Sequence, residues 1–273
     1  MHVIDVGLAD LREPLPPSAL AAGLQDGTLC PHTSRTLMLA EVRMLLETVP
    51  AQARRAEYRE AVVNENVLLK PTTSTRKKTF ELLGQLYGLD PSITVFRALR
   101  DLWTEAMPSG QPLLAVLCAL ARDPAFRATL PAVLQAPEGS TVTPDQLVEA
   151  IVVRYPERFN NTTLRALGQH AASSWQQSGH LRGHLRKVRV RAVATPAGTI
   201  YALLLGHLAG ARGESLFSTL WAATVDAPQH VLREHAAAAS RRGWLEYRAA
   251  GAVTEITFRH LLRPPETLGG PRQ

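Results

Sequence analysis

The sequence has only two cysteines among its 273 residues, Cys30 and Cys118. Two thiols are too few for a disulfide framework or for a metal site built from thiolates. We therefore expect a reducing compartment, in which both cysteines act as small buried apolar side chains.

Aromatic residues are also scarce, at 5% of the chain, and the four tryptophans are spread along it. Proteins that bind single-stranded nucleic acid stack the bases on clustered, exposed aromatic rings with cations between them. The sparse rings are typical of core packing instead. Duplex DNA is therefore a better candidate ligand than single-stranded RNA.

Long hydrophobic runs are missing as well. The longest apolar stretches, 112–121 and 199–211, are shorter than the ~20 residues that a membrane-spanning helix needs. The N-terminus lacks the cationic start and apolar run of a signal peptide. These features predict a cytoplasmic protein with no membrane partner.

The usual catalytic motifs are absent from the sequence. The glycine-rich stretch GHLAGARGES, 206–215, follows a helical pattern and lacks the Gly-Lys-Ser/Thr ending of a phosphate loop. His180 and His184 are four residues apart, but no carboxylate and third ligand accompany them. No nucleophile elbow or pair of catalytic carboxylates is present. We expect a protein that is not an enzyme and binds neither cofactor nor metal.

Apolar residues at helical spacing dominate what the sequence does contain. The pattern predicts a mainly α fold: two helical domains with helix-turn-helix-like units and a small C-terminal β-hairpin, similar to a winged helix. The Pro, Gly and Ser of APEGSTV, 136–142, indicate a linker. The predicted parts are an irregular lead-in, 1–32, a first helical domain, 33–136, a second helical domain with the terminal hairpin, 143–262, and a disordered tail, 263–273.

Two segments share one architecture, in which a helix and a turn precede a polar, cationic helix start. The first has a predicted helix over 54–69, then Lys70-Pro71, four hydroxyl residues and the cations Arg76, Lys77 and Lys78. Helix N-termini attract anions, because their backbone N–H groups are unpaired and the helix dipole is positive there. Hydroxyl residues are also the ordinary N-caps, so capping and phosphate binding both remain possible.

The second segment of this kind has a predicted helix over 144–154, followed by Asn160, Asn161, Thr162 and Thr163 with Arg165. A helix-turn-helix protein reads DNA with the first turn of its second helix. The same two interpretations apply here, a capped helix start or a DNA contact.

A third feature is the basic strip, which we define as residues 180–191, HLRGHLRKVRVR. It contains no carboxylate, whereas the solvent-exposed face of a helix normally carries both acidic and basic residues. Val188, Val190 and Ala192 alternate with cations, which indicates a strand or an extended arm. Contact with nucleic acid and packing on an acidic partner protein are the two possible roles.

The C-terminal residues outline a winged helix, with a predicted helix over 228–240, then Arg241-Arg242-Gly243 and a hairpin around Gly251. The wing of such a unit lies along the DNA backbone, and Arg241, Arg242 and Arg248 are available for that contact. The alternative is that the hairpin only closes the core. The formal net charge of +6 and the pI of 9.7 suit a polyanionic partner.

Three runs of the sequence resemble the BrxA family of bacteriophage-exclusion (BREX) defence systems. The family's Asn-x-Leu, Ser/Thr-rich and Arg/Lys segment resembles the first run, REAVVNENVLLKPTTSTRKKTFELLGQLYGL. Its second Thr-x-x-x-Arg helix resembles the second run, NNTTLRALGQHAASSWQQSGHL. Its terminal helix and hairpin resemble the third run, RRGWLEYRAAGAVTEITF. The resemblance covers about residues 33–262. It departs from the family in the longer, Pro-rich N-terminus and in the basic residues 182–191.

This resemblance implies an all-helical, cytoplasmic DNA-binding protein that serves phage exclusion beside a methyltransferase, an ATPase and other large components. The positions that match the family's polar pattern are Asn66, Thr73, Arg76, Lys77, Lys78, Thr163 and Arg165.

From the residues and the resemblance together, we expect a double-stranded DNA-binding protein that acts mainly through phosphate contacts. Two alternatives stay open, a helical adaptor that docks an acidic protein of the same complex and a DNA-binding transcription regulator. The candidate DNA-binding residues are Lys70, Thr73, Arg76, Lys77, Lys78, Thr163, Arg165, Arg182, Arg186, Lys187, Arg189, Arg191, Arg241 and Arg242.

Overall fold

The computed structural model of the chain describes residues 14–251 and 253–263. The predicted disordered tail and the first part of the predicted lead-in fall almost entirely outside these residues. Within them the protein is mainly helical, as predicted. None of the described helices has the length and hydropathy needed to cross a membrane.

The first half of the chain contains eight α-helices and one 3-10 helix, Pro31–Thr33, among its described residues. The α-helices are α1 Pro17–Ala21, α2 Leu39–Thr48, α3 Arg55–Val63, α4 Thr73–Tyr87, α5 Thr94–Glu105, α6 Gln111–Arg122, α7 Pro124–Arg127 and α8 Leu130–Leu134.

The second half adds five α-helices, a 3-10 helix at Gly213–Ser218, and two antiparallel strand pairs, β1 with β2 and β3 with β4. These elements are α9 Pro144–Arg154, α10 Asn161–Gln177, β1 Leu181–Arg182, β2 Val188–Arg189, α11 Pro196–Leu208, α12 Leu220–Thr224, α13 Gln229–Arg241, β3 Glu246–Ala250 and β4 Val253–Thr257. The predicted hairpin around Gly251 is confirmed.

Helix α6 is the most buried of the described helices longer than ten residues, because apolar residues cover nearly its whole circumference. It packs against α4 and α5 from the first half and against α11 from the second. One hydrophobic core therefore runs from Ala19 to Leu261 and contains residues of both predicted domains. The lead-in also contributes, since Ala19 and Leu24 are fully buried.

One predicted helix boundary is wrong. The helix predicted over 54–69 ends at Val63 because Asn66 and Leu69 adopt positive φ angles of 56° and 52°, which a helix cannot contain. The side chain of Asn66 then accepts a hydrogen bond from the backbone N–H of Lys70 at 2.8 Å and so closes the turn.

The predicted linker, 136–142, is tied to the short β1–β2 sheet. Thr141 forms a β-bridge with Val188, and the backbone N–H of Gly139 donates to the carbonyl of Arg189 at 2.9 Å. Val142 is buried. This segment thus holds the β1–β2 turn against the start of α9.

The C-terminal elements follow the order of a winged helix-turn-helix unit. Helices α12 and α13 both pack against α11, and β3 packs against α13. The connection between α12 and α13 spans residues 225–228, which is the short turn typical of a helix-turn-helix. The predicted winged-helix-like outline is therefore present, with α13 in the place of the second helix.

Candidate nucleic-acid interface

The start of α4 is a capped helix start that also presents two lysines to solvent. The hydroxyl of Thr72 accepts a hydrogen bond from the backbone N–H of Thr75 at 3.1 Å, which satisfies one open donor of the first turn. Thr73, Lys77 and Lys78 are exposed. Neither lysine forms a hydrogen bond or an ion pair with any residue that the structure describes.

The other two predicted cations of this segment have structural contacts. Arg76 folds back, and its Nε and Nη1 donate to the carbonyls of Lys70 and Val63 at 3.2 and 3.4 Å. Lys70 pairs with Glu41 of α2 at 2.9 Å. Arg76 therefore stabilises the end of α3, and a carboxylate distant in sequence balances Lys70. The cationic surface at α4 consists of Lys77 and Lys78.

The start of α10 is also capped as its sequence indicates. The side chain of Asn160 accepts from the backbone N–H of Thr163 at 2.9 Å, and Thr163 itself is half-buried. Arg165, one turn further on, is exposed and has no polar partner in the described part of the chain. This helix start presents one cation to solvent.

The basic strip forms a small hairpin, with β1 and β2 joined by a turn over 183–187. Arg182 and Arg186 are exposed, and Arg186 donates from Nε to the hydroxyl of Thr141 at 2.8 Å. Lys187 donates to the carbonyl of His184 at 3.0 Å. These three cations form no ion pair with a carboxylate among the described residues, and Leu185, which lies between them in the chain, is 96% exposed.

Two arginines of the basic strip do not fit the predicted role. Arg189 is only 5% exposed and donates from Nη1 and Nη2 to both carboxylate oxygens of Asp226, at 2.8 and 2.7 Å. Arg191 pairs with Glu138 at 3.3 Å. The alternation of apolar and cationic residues predicted an exposed Arg189, but in the β1–β2 pair its side chain is buried. Arg189 is therefore a core residue and not a DNA contact.

His180, at the start of the basic strip, is fully buried. Its Nε2 lies 2.9 Å from the carbonyl of Thr224 and its Nδ1 lies 2.8 Å from the hydroxyl of Ser178. Burial lowers the pKa of His180 to about 4. The imidazole is therefore neutral in the folded protein at neutral pH, and it links the strip to α12 as a structural residue.

This low pKa predicts an acid-dependent loss of stability. Because the unfolded histidine has a pKa of 6.5, the unfolded state binds a proton below that pH while the folded state does not. The neutral His180 should make its full contribution to the free energy of unfolding above pH 6.5. This free energy should fall by up to about 3 kcal/mol as the pH drops towards 4. Urea unfolding of the wild type and of His180→Gln at several pH values tests this. Parallel pH curves for the two proteins would contradict it.

The joint between α13 and β3 carries the last predicted cations. Arg241 and Arg242 are exposed, and neither has a polar partner within residues 14–251 and 253–263. Arg248 is exposed on β3. The opposite face of the hairpin closes the core through Ile256 and Phe258. Both predicted roles of the hairpin are therefore physically compatible, because each uses a different face.

The first turn of α13 contains no acidic residue, and its side chains Gln229 and His230 are exposed. Further along, Arg233 pairs with Glu214 and stacks on the ring of Phe217 at 5.2 Å, so this arginine is committed to the fold. The exposed residues of α13 are therefore Gln229 and His230 at its start, Glu234 in its middle and Arg241 at its end.

A buried Ser-His-Asp network was missed by the sequence analysis, because its members are far apart in the chain. The imidazole of His32 lies 2.9 Å from Asp123 through Nδ1 and 2.9 Å from the hydroxyl of Ser174 through Nε2. All three residues are 0% exposed, and Ser174 also donates to the carbonyl of His170. No substrate can approach a hydroxyl buried in this way. The network joins the lead-in to α10 and supports the fold.

No protein-family model matches the sequence, and no curated protein matches it either. The resemblance to the BrxA family therefore stays a prediction.

Proposed function

We propose that the protein binds double-stranded DNA, mainly through contacts with backbone phosphates. The observation that carries this proposal is the winged helix-turn-helix order of α11, α12, α13 and the β3–β4 hairpin, with Arg241 and Arg242 exposed where α13 meets the wing. A helix-turn-helix unit places its second helix in the major groove, and flanking cations hold the phosphates beside it.

The charge of this joint supports the proposal. Arg241 and Arg242 are exposed and have no carboxylate partner among the described residues, so DNA phosphates can supply their counter-charge. The open first turn of α13 supplies backbone N–H groups and the amide of Gln229 without a nearby carboxylate on the same turn. The arrangement favours a polyanion at both ends of the helix.

Lys77 and Lys78 at the start of α4 provide a second set of phosphate contacts. Cations are unfavourable near the positive end of a helix dipole, and no ion pair with described residues offsets that cost. An approaching phosphate does. Arg165, Arg182, Arg186 and Lys187 extend the charged surface.

The decisive experiment is a salt titration of binding to labelled random-sequence duplex DNA, followed by fluorescence anisotropy. The logarithm of the binding constant should fall linearly with the logarithm of salt concentration, by about 0.9 per phosphate contact. The double variants Arg241→Ala/Arg242→Ala and Lys77→Ala/Lys78→Ala should each reduce that slope by about 2.

The matched control is the double variant Lys70→Ala/Arg191→Ala, which removes the same number of cations. Both of these side chains already pair with carboxylates, at Glu41 and Glu138. This variant should therefore leave the slope nearly unchanged. Binding that is absent or independent of salt would refute the proposed function.

We further propose that the protein acts in a bacterial phage-exclusion system of the BREX kind, on the strength of the sequence resemblance. Its gene would then lie beside genes for a methyltransferase and an ATPase, and its deletion would lower phage exclusion. A neighbourhood without these genes, or undiminished exclusion after deletion, would argue against this role.

A helical adaptor for an acidic partner is the second candidate, favoured by two exposed apolar side chains. Leu185 and Val153 are 96% and 80% exposed, on the β1–β2 turn and on α9. Leu185 lies within the basic strip, so an acidic surface with an apolar centre would complement it. Co-purification after nuclease treatment separates the two candidates, because a direct protein complex survives the loss of DNA.

A further inference from the structure

A cavity of about 470 Å³ lies where the starts of α3 and α5 meet the residue that follows the wing, Arg263. We call it the arginine cavity, since five arginines and two aspartates line it. Its lining residues are Ala51, Gln52, Arg54, Arg55, Ala56, Asp90, Pro91, Ser92, Phe96, Arg97, Arg100, Asp101 and Arg263. None of them belongs to the surface proposed for DNA.

Arg100 is 7% exposed, yet most of its hydrogen-bonding capacity is unused. Its Nη2 donates to the carbonyl of Val49 at 2.5 Å. Its Nε is buried without an acceptor within hydrogen-bond distance among the described residues, although the hydroxyl of Tyr58 lies near the guanidinium, which partly offsets the rise that burial causes in the pKa of Tyr58. A buried guanidinium that has no ion-pair partner among the described residues and an incomplete set of acceptors is costly.

Arg97 repeats this pattern at 8% exposure. Its Nη1 and Nη2 donate to the carbonyls of Pro91 and Arg263, both at 2.9 Å, whereas its Nε is buried without an acceptor in the described chain. Burial lowers the pKa of Arg97, the nearby charge of Arg263 lowers it further, and Asp101 partly offsets both effects.

The two aspartates of the cavity are already engaged. Asp101 accepts two hydrogen bonds from Arg263, at 2.6 and 3.1 Å. Asp90 accepts from the hydroxyl and the backbone N–H of Ser92, at 2.7 and 2.9 Å. Neither carboxylate forms an ion pair with Arg97 or Arg100, so these two buried guanidinium groups have no ion-pair partner among the described residues.

Helix geometry adds to the positive potential of the arginine cavity. Helix α3 begins at Arg55, and its first turn carries Glu57, whose carboxylate accepts from the backbone N–H of Arg54 at 2.9 Å. Helix α5 begins at Thr94 without a side-chain N-cap hydrogen bond, and Phe96 and Arg97 of its first turns line the cavity. The positive end of the α5 dipole thus adds to the charge of the arginines. An anion is the complementary ligand.

We propose that the arginine cavity binds a phosphate-bearing metabolite of about mononucleotide size. The volume lies within the range of small-ligand sites. The guanidinium groups suit the several oxygens of a phosphate, and Phe96 and Pro91 give the rest of the ligand an apolar wall. This site is separate from the surface proposed for DNA. Its ligand would contact α5 and Arg263, a residue that follows the β3–β4 hairpin in the chain.

Isothermal titration calorimetry of the full chain, without DNA, tests the proposal with three probes: AMP, ribose 5-phosphate and adenosine. The two phosphate-bearing probes should bind, whereas adenosine should bind at least about tenfold more weakly. Arg100→Lys and Arg55→Ala should each weaken binding of AMP by about tenfold or more.

Arg59→Ala is the matched control, because Arg59 is exposed on the same helix as Arg55 but does not line the cavity. It should bind AMP as the wild type does. Arg55 is solvent-exposed, so the Arg55 variant keeps the test valid if Arg100→Lys does not fold.

Absence of heat with both phosphate-bearing probes, equal binding of adenosine, or an equal loss in Arg59→Ala would overturn the proposal. Because no DNA is present in the titration, its failure leaves the salt dependence of DNA binding untouched. Failure of DNA binding would likewise leave this titration unaffected.

Discussion

Replacing Asp123 with alanine should lower the free energy of unfolding by about 3 to 7 kcal/mol. The carboxylate is fully buried and accepts hydrogen bonds from the backbone N–H and Nδ1 of His32, at 3.0 and 2.9 Å, and from the backbone N–H of Phe126 at 3.0 Å. Two buried donors without an acceptor cost about 1 to 3 kcal/mol each, and the lost cap of α7 costs about 1 more.

Urea denaturation measures this effect as a lower midpoint with an unchanged slope. Asp145→Ala is the control, because Asp145 is an exposed aspartate in the first turn of α9. It should have a much smaller effect. A similar small loss for Asp123→Ala would show that the network around His32 does not stabilise the fold.

Replacing Asp226 with asparagine should lower the free energy of unfolding by about 3 kcal/mol or more. This change keeps the size of the side chain and its tolerance of the positive φ of 61° at this position. It removes the charge that faces Arg189, which is 5% exposed, and so leaves a buried guanidinium without its counter-charge. The hydrogen bond to the backbone N–H of Ala192 is also weakened.

Glu138→Gln supplies the comparison, because it breaks the other ion pair of the basic strip. Glu138 and Arg191 are 62% and 60% exposed, so this change should cost no more than about 1 kcal/mol. Thermal unfolding of both variants gives the measurement. Equal losses would mean that Arg189 is held mainly by something other than Asp226.

The parts of the fold that depend on local chemistry could be predicted from the sequence. Thr72 and Asn160 cap their helices because each side chain needs only a backbone N–H three residues away. The terminal hairpin follows from two β-prone runs around Gly251. The early end of α3 was missed, because a turn with left-handed residues at Asn66 and Leu69 has no strong sequence signal when neither is glycine.

The candidate site could be predicted only in part, because the state of each cation depends on distant residues. Arg189 meets Asp226, Lys70 meets Glu41 and Arg191 meets Glu138, and no pattern within the basic segments reveals these partners. The exposed pairs Lys77-Lys78 and Arg241-Arg242 were predicted from charge runs alone.

The arginine cavity was not foreseen for the same reason. Its guanidinium groups come from three places, at 54–55, at 97 and 100, and at 263, and only the folded chain brings them together. In the sequence each of these arginines resembles an ordinary solvent-exposed cation on a helix or near the end of a strand. Local patterns reveal charge, whereas packing decides whether that charge is neutralised.

The burial of α6 has a thermodynamic consequence. This helix contacts α4, α5 and α11, so neither half of the chain can unfold without exposing apolar surface that the other half covers. We therefore expect the two halves to unfold together as one cooperative unit. Asp123 lies before the predicted linker and Asp226 after it, yet the loss caused by either substitution should appear in the same unfolding transition.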